Sequence, residues 1–369
     1  MPGAIYSALA DKIASVEGPI FPLHVGDTFM EPLEGARMEN LRVADHPGMH
    51  RYTRPQGLPQ LVDALVEKCR ARNGLSVERE GITVTAGATG GLAAVLGAIC
   101  SPGDEVLVLA PFWPLIRGHV QCFRGVPVEV PFYDRVDSVE AAVEAVRERI
   151  TGRSIALYVS TPSNPTGVVL PESWLQALAE LAREHDLWLL SDETYEDYAY
   201  RGEHVSIGRF APERTITAFS FSKAYGMAGN RCGYLAAPAG ISGEIRKIST
   251  HTFFSAPTSG QLSALYALEH GQPWIDRAFE LYKAAGEHAA DTLGVPRPGG
   301  STFLFLDVGR LLDERGVLGF LEDCLDDGLL LAPGPSFGQD YGDWVRVCFT
   351  SAPPEAVAEA VKRLHARLR

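Results

Sequence analysis

The sequence predicts an α/β protein: a mostly parallel sheet covered by helices on both faces, with a smaller α+β unit beside it. Three observations carry this expectation. The chain has 369 residues, more than one average domain and enough for a large unit plus a smaller one. Its apolar content of 46% and charged content of 21% supply a sizeable core and argue against disorder. Between about residue 80 and residue 236, short β-branched runs alternate with helical periodicity, as parallel strands joined by crossover helices do.

The elements follow in chain order. Ile82-Thr83-Val84-Thr85 is the first strand of the alternating region, and the apolar segment Leu92 to Cys100 after it is helical. Further strands are expected at Glu105 to Leu109, Ile155 to Val159, Leu187 to Leu190 and Thr215 to Phe219. Between them the 3.6-residue period is clearest at Trp174, Leu175, Leu178, Leu181 and Ala182. From about Pro257 a long helical stretch leads out of the unit. Strands near Phe303 to Val308 and Val345 to Phe349 and a helix from Pro354 close the chain. The expected division is an N-terminal segment 1–45 that joins the smaller unit, a large unit 46–270, and a C-terminal unit 271–369.

Bulk properties exclude several function classes. A net charge of −13 leaves no basic face for nucleic acid. Met1 to Ile20 carries Asp11, Lys12 and Glu17 and has no signal-peptide core, and no apolar run reaches the roughly 18 residues of a membrane span. The six cysteines form no CxxC pair, which suits a reducing, cytoplasmic setting and predicts no metal site.

Chemistry concentrates at the strand ends. Lys223 lies in Ser220-Phe221-Ser222-Lys223, just past a predicted strand, with Arg231 eight residues on. Lysine occurs only as Lys12, Lys68, Lys223, Lys247, Lys283 and Lys362, so one in a Ser/Gly-rich turn suggests an amine awaiting an aldehyde, with an anion held beside it, although the segment alone fits a solvated loop lysine better. Gly87-Ala88-Thr89-Gly90-Gly91 follows a strand and opens a helix, whose free N–H groups suit a phosphate. On its own this loop also fits a plain turn or a dinucleotide loop of the GATGxxG kind found in short-chain dehydrogenases. Against the latter, its third glycine falls at Ala93, it is not on the first strand, and no lysine has a tyrosine four positions before it. Trp113, between two prolines at a strand's end, is either a core aromatic or a face on which a flat ring stacks. Asn164-Pro165-Thr166-Gly167 is a turn signal. Asp192 is either an N-cap or a buried carboxylate in need of a cation. Arg346, inside an apolar strand, needs an anionic partner such as a carboxylate read bidentately.

Taken together, Tyr52 with Gly57, Gly87-Ala88-Thr89, Pro111-Phe112-Trp113-Pro114, Asn164-Pro165-Thr166-Gly167, Asp192-Glu193-Thr194-Tyr195, the Lys223 segment and Arg346 resemble the fold-type I pyridoxal-phosphate enzymes, class I/II aminotransferases, in the family's order and over nearly the whole chain. The resemblance implies a seven-stranded sheet in the large unit, pyridoxal 5′-phosphate as cofactor, and amino transfer between an α-amino acid and a 2-oxo acid. The alternative on the same scaffold is elimination, decarboxylation, or cyclisation or oxidation of an amino acid. Lys223 is then the Schiff-base lysine and proton carrier. Asp192 pairs with the ring nitrogen, and Asn164 and Tyr195 bind the ring oxygen. Trp113 stacks on the ring. Gly87, Ala88, Thr89, Ser220, Ser222 and Arg231 hold the phosphate. Arg346, with Asn164 and the backbone of Gly26, receives the substrate carboxylate. A homodimer is implied, with Tyr52 reaching the partner's phosphate. The stretch Gly26-Asp27-Thr28-Phe29-Met30-Glu31-Pro32 departs from the family's commoner wording by being one residue shorter. His50, Arg51 and Arg54 are either solvated or interface groups or bind an acidic group of the substrate on this reading.

Overall fold

Strands β2 (Glu105–Ala110) and β4 (Ser154–Ser160) show how the core is built. A strand's side chains alternate between faces. Val106, Val108, Ala156 and Tyr158 enter one apolar layer, with Leu92 and Val95 of the helix Gly87–Ile99. Leu107, Leu109, Leu157 and Val159 enter the opposite layer, with Leu175, Leu178 and Leu181 of the helix Glu172–Glu184. A strand buried on both faces needs apolar residues at successive positions, which is why these runs are nearly continuous in the sequence.

A computed structural model describes Leu9 and residues 12–369. The large sheet has seven strands. Besides β2 and β4 they are β1 (Ile82–Thr85), β3 (Val126–Pro131), β5 (Trp188–Asp192), β6 (Thr215–Ser220) and β7 (Gly233–Ala236), in the order β1-β7-β6-β5-β4-β2-β3. Only β7 runs against its neighbours, β1 and β6. β3 and β7 carry no clear sequence signal. β3, Val-Pro-Val-Glu-Val-Pro, is a half-exposed edge strand, and β7 has four residues. The helical stretch expected from Pro257 is two helices, Thr258–His270 and Gln272–Leu293, interrupted at Gly271.

A second, antiparallel sheet has the order β8-β10-β9, with β8 Phe303–Asp307, β9 Ala332–Pro333 and β10 Trp344–Cys348. Its core joins Leu304, Leu306, Val345 and Val347 to Tyr282 and to Val357, Val361 and Leu364 of the helix Pro354–Arg367. Phe21 and Leu23 belong to the same core, as do Tyr198 and Tyr200. The N-terminal segment is tied along β10: Cys348 N–H donates to Leu23 O at 2.8 Å, and Phe29 N–H donates to Thr350 O at 2.8 Å. These bonds carry Gly26 and Asp27 to the end of the strand that bears Arg346.

One buried polar network fixes the loop after β5. Lys68, on the helix Pro59–Asn73, donates to Glu196 and, at 2.9 Å, to Asn73 Oδ1, and lies 4.2 Å from the centre of the Phe219 ring. Asn73 Nδ2 donates to the other Glu196 oxygen at 2.6 Å. Deleting one member of a buried ion pair leaves the other charge uncompensated. Lys68→Ala is therefore expected to lower unfolding free energy in urea by about 3–5 kcal/mol. Arg297→Ala, at the exposed pair with Asp291, is expected to leave the same titration nearly unchanged.

Candidate active site

The C-terminal ends of β1, β2, β4, β5 and β6 face one cavity of about 300 Å³. Crevices outside the strand C-termini are where open α/β sheets bind ligands. The cavity is lined by Ala88 and Thr89 after β1, Trp113 after β2, Asn164 after β4, and Asp192 and Tyr195 from β5 and its loop. Ser220, Ser222 and Lys223 come from the end of β6, Arg231 from the turn before β7, Arg346 from β10 and Gly26 from the N-terminal segment. Two residues of the sequence-predicted set lie elsewhere. Gly87 is behind Arg231: a Cβ there would come within 2.6 Å of Arg231 Nη2, and its φ of +70° is one that glycine adopts without strain. Tyr52 is 87% exposed and packs on Phe254 at 4.9 Å, in a separate surface groove with His50 and Arg51.

One end of the cavity is built for an anion. The helix Gly87–Ile99 starts there with its first N–H groups unpaired within the helix, beside the Ser220 and Ser222 hydroxyls. Ser220 Oγ accepts from Ser222 N–H at 3.1 Å. Arg231 donates to Ala228 O at 2.9 Å and Ala86 O at 3.4 Å, which fixes its guanidinium at the loop. A Cβ at Gly233 would sit 2.7 Å from Ala88 N, so only glycine lets β7 approach this closely.

The other end holds a buried carboxylate. Asp192 closes β5, flanked by Ser160 of β4 and Ala218 of β6. Its Oδ2 accepts from Tyr158 O–H at 2.7 Å, and its Oδ1 from Thr194 Oγ1–H at 2.7 Å and Thr194 N–H at 3.2 Å. Among the described residues no Lys, Arg or His pairs with it. Burial pushes its carboxyl above the usual range, against the pull of the Thr194 and Tyr158 hydrogen bonds. A cation placed beside it would satisfy a charge that the protein leaves uncompensated.

Between these ends lies Lys223, in the single helical turn Phe221–Ala224 that Ser220 caps. Burial lowers its ammonium pKa, with Arg346 and Arg231 acting in the same direction. Its Nζ is 3.9 Å from Asp27 Oδ1. Arg346 is buried: Nη1 donates to Asn164 Oδ1 at 2.8 Å, Nη2 donates to His24 O at 2.6 Å, and the guanidinium lies 4.1 Å from the Phe303 ring centre. The His24 imidazole is held down to about 4 by burial and by the Arg346 charge. Tyr195 packs edge-on against Phe303, and burial raises its phenol.

Sequence reading missed four groups. Tyr158 reaches Asp192 from the middle of a strand, where its O–H looks like core. Thr194 and Asp27 enter through loop geometry, which leaves no periodic signal, and Leu115 lines the cavity from the first turn of the helix Pro114–Cys122. Glu193, expected to be structural, is fully buried and accepts from Ser191 and Ser206 and pairs with His204 at 2.8 Å.

The site and fold have known counterparts. The family described as aminotransferase class I and II matches residues 19–364. The aspartate/prephenate aminotransferase of Thermus thermophilus is 38% identical over 307 residues, 81% of this chain and 79% of that protein. An arginine–pyruvate transaminase of Pseudomonas aeruginosa is 32% identical over 334 residues, 85% and 83% of the two chains. A solved Thermus thermophilus aspartate aminotransferase, a single mutant, superposes with a TM-score of 0.90 at 33% identity, covering 100% of this chain and 97% of that one. Amino transfer, rather than elimination or decarboxylation, is the activity in these names. With the match running over nearly the whole chain, this protein belongs to the class I and II aminotransferases and is an enzyme that moves an amino group between an α-amino acid and a 2-oxo acid.

Proposed function

We propose that the cavity binds pyridoxal 5′-phosphate, that Lys223 is its covalent anchor, and that the same amine carries the proton during amino transfer. The observation that carries this reading is the convergence, in one cavity, of a largely buried lysine, an anion cradle and a buried carboxylate with no cation among the described residues beside it. The cradle suits a phosphate. Asp192 suits a protonated pyridine nitrogen, whose charge it would stabilise as the nitrogen stabilises the carboxylate. When bound, the pyridinium ring supplies an electron sink for the pair left on the substrate's α-carbon.

The chain's own residues do the rest. Ser220, Ser222, Arg231 and the N–H groups of Ala88 and Thr89 hold the phosphate, and Gly87 leaves room for the Arg231 guanidinium. Trp113 walls one side of the ring. Asn164 has its Oδ1 engaged by Arg346, so its amide N–H is the group left to donate to the ring oxygen, alongside the Tyr195 hydroxyl. Arg346 reads the α-carboxylate, backed by the Gly26 backbone. Lys223 Nζ removes the α-proton as a base and redelivers it as an acid. Burial favours its neutral form and so assists the first of these steps. The relatives are named for aspartate, arginine and aromatic amino acids. An α-carboxylate is what these share, and Arg346 is the residue suited to it.

The exposed Tyr52 and Phe254 support a homodimer in which the groove around them is covered by a second copy. Tyr52 would then reach the partner's phosphate. Six unpaired thiols, Cys69, Cys232, Cys324 and Cys348 buried among them, support a reducing, cytoplasmic setting. Among the described residues no helix is long and apolar enough to cross a membrane.

Three measurements test this reading. Borohydride reduction of the purified, cofactor-loaded protein is expected to fix the cofactor to the peptide containing Lys223; label on another lysine would overturn the assignment. Arg346→Ala is expected to lower kcat/KM for amino acids by a factor equivalent to about 2–5 kcal/mol. Simple amines without a carboxylate should lose far less, and equal losses would remove Arg346 from the carboxylate role. For Tyr52, Lys223→Ala and Tyr52→Glu homodimers should each be nearly inactive. Mixed dimers should regain substantial activity, because trans pairing places both lesions in one site and leaves the other intact. No recovery in mixed dimers verified by differential tags would refute the shared site.

A further inference from the structure

Asp27 has no part in the amino-transfer roles above, yet its Oδ1 lies 3.9 Å from Lys223 Nζ. Its position is set by the backbone. Asp27 N–H donates to Val25 O at 2.9 Å, and Asp27 Oδ1 accepts from Thr28 N–H at 2.9 Å. Asp27 O accepts from Thr350 Oγ1–H at 2.7 Å and from Cys348 Sγ–H at 3.5 Å. Cys348 and Thr350 follow Arg346 on and just beyond β10. The strand that presents the guanidinium thus also pins this carboxylate. Asp27 lies in the shortened stretch from Gly26 to Pro32, where the chain's wording departs from the family's.

We propose that Asp27 is the counter-ion of the free Lys223 amine: whenever Lys223 has no covalent bond to the cofactor, the Asp27 carboxylate stabilises its ammonium form and sets how readily the amine yields its proton. The functional consequence rests on the proposed role of Lys223; the ion pair itself rests on geometry alone.

The surroundings make such a counter-ion useful. Burial disfavours the Lys223 ammonium first, Arg346 and Arg231 disfavour it further, and Asp27 and Cys348 oppose them. Asp192 and Tyr195 line the same cavity. A lysine that removes a proton must begin neutral, and the same lysine must then hold that proton long enough to deliver it. Without an anion nearby, a buried amine between two guanidinium groups would hold the proton poorly. Asp27 does not reach the reacting carbon on this account. It is a positioning residue, acting through the charge on Lys223. With 48% of its side chain exposed, its influence is moderated by water and sensitive to salt.

The test uses the full chain loaded with pyridoxamine 5′-phosphate, in which Lys223 has no bond to the cofactor. Trace acetic anhydride acylates only neutral amines, and mass spectrometry of the Lys223 peptide across neutral to alkaline pH gives the midpoint of its titration. Asp27→Asn is expected to move that midpoint about 0.5–1 pH unit lower, so that labelling below it runs about 3–10 times faster. Asp27→Glu should keep the midpoint near that of the parent. High salt should lower the parent midpoint relative to that of Asp27→Asn, a readout that a merely structural aspartate would not give. An unchanged or raised midpoint in Asp27→Asn, or a parent midpoint that does not move relative to the variant's with salt, would overturn the proposal. Failure of the cofactor assignment is distinguishable, since it would appear as borohydride label on a different lysine.

Discussion

Burying a carboxylate with hydrogen bonds but no cation is costly, and Asp192, at the centre of the large sheet's C-terminal edge, has no cation beside it among the described residues. The strands on either side fix where it ends, through Ser160 and Ala218. Tyr158 and Thr194 hold its two oxygens apart from one another's partners, so the carboxylate keeps one orientation. The loop that follows is braced from below by Lys68, Asn73 and Glu196 and from the side by Glu193 with its two serines and His204. Much polar structure therefore serves to hold a charge that is left uncompensated on the cavity side. An unmatched charge held this rigidly suits a ligand that brings the opposite sign.

The electrostatic order of the cavity follows from the same topology. Parallel strands point their C-terminal ends one way, and the helix after β1 turns its N-terminus to that edge. The positive end of a helix, Arg231 and two hydroxyls thus gather on one side, and Asp192 on the other. Lys223 is caught between them in a short turn that cannot drift, because β6 ends at Ser220 and Tyr198 O–H donates to the carbonyl oxygens of Lys223 and Ala224, each at 3.0 Å. The second sheet contributes one strand, β10, whose central residue Arg346 reaches Asn164. Arg346 and Asn164 meet directly, and the N-terminal segment bonded to Cys348 and Thr350 brings Gly26 and Asp27 to the same place.

Much of this was legible from the chain alone. Strands buried on both faces must be apolar throughout, so β2, β4, β5 and β6 stand out, and residues directly after them line the cavity. β3 and β7 were not legible, since an edge strand with prolines and a four-residue strand have neither a long run nor a clean alternation. Tyr158 reads as core because its ring is core, and only its hydroxyl does polar work. Tyr52 carried a signal only together with the family's other motifs, and within one chain it stays on the surface.

What the sequence determined by itself was the local part: the helix and strand periods, the turn chemistry, and the order in which an amine, a carboxylate, a guanidinium and a phosphate-type loop occur. Those depend on neighbours a few residues away. Tertiary structure alone decided which of them meet. Asp192 has no cation beside it among the described residues, Asn164 gained Arg346 from 182 positions away, and Asp27 came within 3.9 Å of Lys223. Such distances are set by strand order, register and the docking of one sheet against another. No local propensity encodes them, because each depends on many residues packing at once.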